Sequence, residues 1–233
     1  MIKTSSVMAM SDSLKTRYIT TGITPYQANL FIAGIAGFVV ATFIGVIFPT
    51  VAPPVVAILL IGACIMMLVG YKYSQGPELS FTLTFMHIQF HSHYGGWLAR
   101  WKNIDSIAQA SIAKDGWHQP VPWVGVRLKD YEEFIDSICP RVATKLLIDQ
   151  RILLIMAHKG IDNPPYEIED IMFDDHHYTT MTGHTLKGLQ AMLANRMHYN
   201  RELIGYDFFI SEDFLDRPAA DFAGLARRYL AAS

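Results

Sequence analysis

No charged residue occurs between Arg17 and Lys72. A folded segment in water keeps charges on its exposed face, so this gap argues against a water-facing surface for the stretch. Cysteine is scarce too: Cys64 and Cys139 stand alone and far apart, which excludes a disulfide framework. The chain lacks a phosphate-cradling glycine loop, a G-x-S-x-G elbow, an H-E-x-x-H pair and a C-x-x-C pair. Catalytic groups usually leave some such local signature. The reading is therefore not an enzyme, and no cofactor is expected.

What is present is apolar. Hydrophobic residues make up 51% of the 233 and charged ones 17%. Two uncharged runs, 30–48 and 55–71, flank "PTVAPP", and each is close to the ~20 residues that carry an α-helix across a bilayer. A prolyl turn between them predicts a transmembrane helical hairpin over 30–73. Lys3, Lys15 and Arg17 precede it, Lys72 closes it, and the loop 49–54 has no charge, so the positive-inside rule puts both termini in the cytoplasm. Ala33, Gly37, Ala41 and Gly45 form a small-residue stripe that lets another helix approach closely. The favoured contact is the second helix, along Gly62, Met66 and Gly70, with a homo-oligomer as the alternative.

Residues 1–29 then form a cytoplasmic segment, and 74–233 form one domain with its own core. Beyond Ser74 there are 15 basic against 20 acidic residues, which argues against nucleic acid as a partner. In "LSFTLTF" apolar and polar residues alternate as in a half-buried strand. The phase flips near Phe85 and Met86, after which Met86, Ile88 and Phe90 point inward and His87, His91 and His93 outward. "YGG" turns the chain and "WLARW" resumes the alternation. Further strands are expected at 104–112, 121–129, 166–173 and 206–211. Helices are expected over "YEEFIDSI", from Pro140 to Gly160, over 183–202 with Thr182 as cap, and over "PAADFAGLARRYLAA".

"LSFTLTFMHIQFHSHYGGWLARWKNIDSI", "VGVRLKDYEEFIDSI" and "GYDFFISEDFLDRPAADFAGLARRYL" resemble, in order, segments of bacterial pleckstrin-homology-like (PH-like) membrane proteins. There a two-helix membrane hairpin precedes a small β-barrel. Trp101 followed by Ile104 matches the motif of the third strand, and the last helix, with Phe222 and Leu225 facing the core, closes the barrel. The whole chain is also similar to an uncharacterised gammaproteobacterial family of unknown function, most distinctively in "PRVATKLLIDQRILL". The implied fold is α+β: a PH-like antiparallel β-barrel or meander with a helical insertion over 141–201 and a C-terminal helix. The implied setting is the bacterial inner membrane. The implied role is a membrane-anchored interaction or scaffold module that binds an unidentified protein or peptide. No catalytic residue carries over.

Two alternatives name specific residues. Asp174, Asp175, His176, His177 and His184 are candidate metal ligands in a loop, which would suit a metal-dependent hydrolase. Arg100, Lys102, Arg127 and Lys129 alternate on neighbouring strands and are candidates for lipid-headgroup or partner contact. The three strand histidines are read as a solvated face, because imidazoles at a spacing of two rarely converge on one metal. His158 and His198 are read as contacts at helix ends.

Overall fold

The computed structural model describes residues 15–20, 25–47, 53–74, 79–114, 117–161 and 164–233. Contacts divide the chain into two units, one of residues 21–78 and the other of residues 1–20 together with 79–233.

The first unit holds helices α1 (Pro25–Ile47) and α2 (Pro53–Ser74). Within them Asn29–Ile47 and Pro53–Tyr71 are long and apolar enough to cross a membrane. The seam between the helices is made of small residues. A Cβ on Gly34 would lie 2.8 Å from the backbone nitrogen of Met67, and one on Gly70 2.6 Å from that of Phe31. Gly37 faces Ala63, Gly45 faces Val56, and Ala41 is buried. This is the intramolecular packing expected of the stripe, with a shifted register. Ala33 is exposed, Gly62 has nothing near it, and Met66 faces outward, so Met67 and Ala63 take the positions assigned to them. Phe43, Val46, Ile58 and Leu68 are exposed.

The second unit is built on two antiparallel sheets. The four-stranded sheet has the order β1 (Arg17–Ile19), β2 (Phe81–Leu83), β3 (His87–Ser92), β4 (Gly95–Arg100). Its first strand comes from the segment before the helices and its second from the segment after them. Ile19 pairs with Phe81, Arg17 pairs with Leu83, and the Ser80 amide donates to the Ile19 carbonyl at 2.8 Å. The sheet is thus closed across the helical pair, and residues 15–20 belong with the C-terminal unit. "RYI" is too short to show a period; the buried Ile19 side chain anchors it.

The phase flip after β2 has a local cause. The Thr84 hydroxyl accepts from the amides of Met86 and His87, and its carbonyl accepts the indole N–H of Trp101 at 2.8 Å. The resulting turn leaves Phe85 and Met86 exposed, which corrects the expectation that Met86 faces the core.

A short 3₁₀ turn leads into the three-stranded sheet, β5 (Ile104–Lys114), β6 (Trp117–Leu128) and β9 (Phe208–Ser211), with β9 at its edge. The two sheets share one apolar core without forming a closed barrel. Between β6 and β9 come α3 (Glu132–Ser137), α4 (Pro140–Asp149), α5 (Arg151–Lys159), α6 (Ile168–Phe173), the two-residue ladder of β7 (Tyr178–Thr179) with β8 (Thr185–Leu186), and α7 (Leu189–Ile204). The last helix, α8 (Ala219–Ala231), lays Phe222 and Tyr229 on the core. Trp101 is fully buried and stacks on Tyr229 at 5.8 Å, while Ile104, Phe222 and Leu225 are buried in the same cluster. The Tyr229 hydroxyl donates to the Lys15 carbonyl at 2.7 Å, tying the strand before the helices to the end of the chain.

Three elements differ from expectation. The helix from Pro140 breaks at Gln150, whose side chain turns inward and donates to the Phe209 carbonyl at 2.8 Å. Residues 168–173 are a helix rather than a strand. Ile168, Ile171 and Met172 are spaced as on one helix face, and Glu169 and Asp170 in the first turn suit the positive end of its dipole. Helix α7 begins at Leu189, because Gly188, at φ +58°, separates it from the β7–β8 ladder. Thr182 bonds Glu132 and Thr180 instead of capping a helix.

Candidate functional sites: an apolar cleft and a buried ion pair

The histidines of β3 part company. His87 pairs across the ladder with Arg100, and burial, reinforced by that guanidinium, pushes its imidazole below the usual value. His91 shares a hydrogen bond with the Thr82 hydroxyl at 2.9 Å, and His93 lies in the β3–β4 turn.

The candidate metal ligands of 174–184 split in two. Asp174 accepts from His176 Nδ1 at 2.8 Å and from the Tyr199 hydroxyl at 2.8 Å. His184 instead faces Glu132 at 3.3 Å, on a carboxylate that also takes the hydroxyls of Thr180 and Thr182. Asp175 and His177 are exposed. Among the described residues no three His, Cys, Asp or Glu side chains are grouped to hold a metal. Burial alone would raise the Asp174 carboxyl; the bonds from Tyr199 and His176 outweigh it and hold the group below the usual carboxylate range. The same contact, with burial leading, pushes the Tyr199 phenol up to about 12.

Three of the four basic candidates have partners of their own, and Lys129 lies against Lys102. Arg100 pairs with Glu133 at 3.2 Å and Arg127 with Asp105 at 3.5 Å. Lys129 donates to the Lys102 carbonyl at 2.9 Å. Isolated surface pairs of this kind contribute little to stability. His158, in the last turn of α5, bonds the Tyr166 carbonyl, whereas His198 lies inside α7 rather than at its end and faces Glu202 one turn on.

The structure brings together other polar residues, which lie far apart in the sequence. Asp207 is fully buried just before β9. One carboxylate oxygen accepts the Leu128 amide at 2.5 Å and Arg201 Nη2 at 2.6 Å; the other accepts Arg201 Nε at 2.6 Å and the Tyr131 hydroxyl at 2.8 Å. Arg201 also donates to the Leu128 carbonyl and lies 5.0 Å from the Tyr131 ring centre. Burial first, then the Asp207 charge, drives the Tyr131 phenol far upward. A carboxylate saturated by four donors binds α7 to the end of β6 and has little capacity left for proton transfer or metal binding. A polar depression opens beside it, lined by Lys129, Asp130, Thr180 and His198 among others.

Arg196 is also buried, and among the described residues no carboxylate pairs with it. It donates to the Leu147 carbonyl near the end of α4 and to the Met172 carbonyl near the end of α6. Two negative helix ends thus face its charge, and the residue ties both helices to α7.

The second depression is mostly apolar. It is lined by Phe81, Phe90, Trp97 and Phe214 and by Val142 and Leu146 of α4. The Lys145–Asp149 pair, at 2.8 Å, is among its lining groups.

The family model described as protein of unknown function, DUF2982, matches residues 81–232. The chain belongs to this family. The DUF2982 match starts on the first residue of β2 and runs into the tail of α8, so it contains both depressions and the whole insertion between β6 and β9. The strand β1 and the two apolar helices precede it. No curated protein and no solved structure matches the chain.

Proposed function

We propose that this chain is a membrane-anchored interaction module of PH-like architecture at the cytoplasmic face of the bacterial inner membrane, and that its apolar cleft receives an apolar side chain of a protein or peptide partner. The observation that carries the reading is the pairing of β1 with β2 across the helical pair. A sheet can close in this way only if the chain leaves and returns on one side, which is what a two-helix membrane hairpin does. Lys15, Arg17 and Lys72 beside that hairpin favour the cytoplasmic side. The outward Phe43, Val46, Ile58 and Leu68 support lipid as the surroundings of the helices. Sheets of four and three strands followed by a helix support the PH-like comparison. The cleft supports partner binding because a concave apolar surface bordered by an ion pair is the usual form of a side-chain pocket.

A photo-crosslinking amino acid at position 145, in cells, tests the reading. The expected result is a discrete adduct with another protein that disappears in Leu146→Trp, which fills the cleft, while the thermal midpoint is unchanged. No adduct at 145 in a folded, membrane-retained protein overturns the partner site.

A further inference from the structure

We propose that the polar depression at the end of β6 binds a phosphate group that still carries a proton, with Arg201, Tyr178 and Lys129 as its donors and Asp130 as the acceptor of that proton. The site lies wholly within the sheet unit and shares no lining residue with the apolar cleft.

Three elements supply its walls: Lys129, Asp130 and Tyr131 follow β6, Tyr178 opens β7, and Arg201 sits on α7. A guanidinium has five N–H donors. The Asp207 carboxylate and the Leu128 carbonyl take the one on Nε and both on Nη2, so the two on Nη1 have no partner among the described residues. The same bonds, with the Tyr131 ring centre 5.0 Å away, hold the guanidinium in place. Its open edge is therefore fixed before a ligand arrives, which spares the cost of ordering a long side chain on binding. Tyr178 stacks on Tyr131 with ring centres 5.8 Å apart, and its hydroxyl also bonds nothing among the described residues. Burial pushes that phenol up against the opposing charge of Arg201, so it is a donor at neutral pH. Lys129 spends one of the three N–H groups of an ammonium on the Lys102 carbonyl and keeps two.

One acceptor stands among these donors. Asp130 Oδ1 takes the Glu132 amide at 3.1 Å, and Asn103 holds the Asp130 backbone through both its amide and its carbonyl. Oδ2 stays open among the described residues, and the Asp130 charge is close enough to act on the Tyr178 phenol. The neighbouring acids are occupied: Asp207 by Arg201, Glu202 by His198 and Glu132 by His184. Donors set around a single carboxylate oxygen discriminate among oxyanions. Sulfate offers acceptors alone and would turn a lone pair on Asp130, a contact between like charges. A phosphate group loses its last proton only near pH 6 or above, so it can fill the donors with its free oxygens and give its P–OH to the carboxylate. Arginine and lysine together are the usual partners of such a group.

The test is calorimetric titration of the full chain in detergent micelles at about pH 6, where phosphate groups keep a proton, with inorganic phosphate, glycerol 3-phosphate and sulfate at matched ionic strength. Phosphate should bind at one site per chain, and sulfate about tenfold more weakly or worse, the worth of one charge-assisted hydrogen bond. Asp130→Asn should close that gap by admitting sulfate. Tyr178→Phe keeps the ring stack and should weaken phosphate several-fold while the thermal midpoint without ligand is unchanged. Glycerol 3-phosphate binding more tightly than inorganic phosphate supports the site with a monoester as its ligand, and the reverse supports it with the free ion. No phosphate binding to folded protein overturns the proposal. So does sulfate binding the wild type as well as phosphate, or a phosphate affinity that neither Tyr178→Phe nor Lys129→Gln moves.

Discussion

In the helical pair the residues at the seam are Gly34, Gly37, Ala41, Ala63 and Gly70, while phenylalanine, isoleucine, leucine and valine face out. In the sheet unit the order of size is reversed, with Trp101, Phe81, Phe134, Phe208 and Tyr229 fully or almost fully buried. Both units are rich in apolar residues, so composition alone does not tell inside from outside. The sizes do. Large side chains go inward where burial from water drives folding, and small ones go inward where close approach of two backbones is the main gain. Charge follows the same division. The helices α1 and α2 carry none before Lys72, whereas the sheet unit buries the Asp207 carboxylate against a half-buried Arg201.

The comparison can be broken first at that ion pair. Asp207→Asn removes the counter-charge of the half-buried Arg201 and disturbs the bonds from the Leu128 amide and the Tyr131 hydroxyl, and leaving such buried donors unsatisfied costs about 1 to 3 kcal/mol each. Chemical denaturation followed by tryptophan emission should show this loss, with the helicity of α1 and α2 unaffected. The next effect belongs to the other unit. Gly34→Leu forces side-chain volume against the Met67 backbone and should weaken the helix pair by about 1 to 3 kcal/mol, the usual cost of overpacking. Protease sensitivity of the 48–52 loop should rise while the midpoint of the sheet unit stays put; an equal shift in both would mean that the two do not fold by separate rules.

The smallest effect is one of pH. The Asp174 carboxyl lies below its usual range in the folded protein. Its contribution is therefore full above the unfolded carboxylate value of about 3.9 and is lost as pH falls through the folded value. The stability gap between wild type and Asp174→Asn should be largest at neutral pH and close below about pH 4. A gap that grows on acidification contradicts the assignment.

Long runs and strict alternation were legible in the sequence: both apolar helices, the strands around "LSFTLTF" and "WLARW", and the C-terminal amphipathic helix. Features set by distant partners were not. The strand Arg17–Ile19 exists because Phe81 to Leu83 arrive beside it, and three residues carry no period. The break at Gln150 depends on the Phe209 carbonyl, 59 residues away. Residues 168–173 alternate loosely enough to suggest a strand, and in so short a segment the spacing of Ile168, Ile171 and Met172 and the acids of the first turn are the pointers to a helix. The candidate ligands of 174–184 are dense along the sequence, yet His184 is drawn to Glu132 in another element. Asp207 was the missed clue: an acid among the aromatics of "GYDFF" is too costly to bury alone, and so implied a cation such as Arg201.

The claim on which the rest depends is that one sheet is stitched together across the helical pair. Tyr18 and Thr82 are opposite each other in the ladder of β1 and β2, so Tyr18→Cys with Thr82→Cys, in a chain with Cys64→Ser and Cys139→Ser, measures it directly. Oxidation in native membranes followed by mass spectrometry should give the 18–82 disulfide in high yield from the intact chain, and a control pair shifted to Tyr18→Cys with Gln89→Cys should give little. Absence of the 18–82 bond in folded, membrane-retained protein would contradict the shared sheet and the one-sided topology built on it.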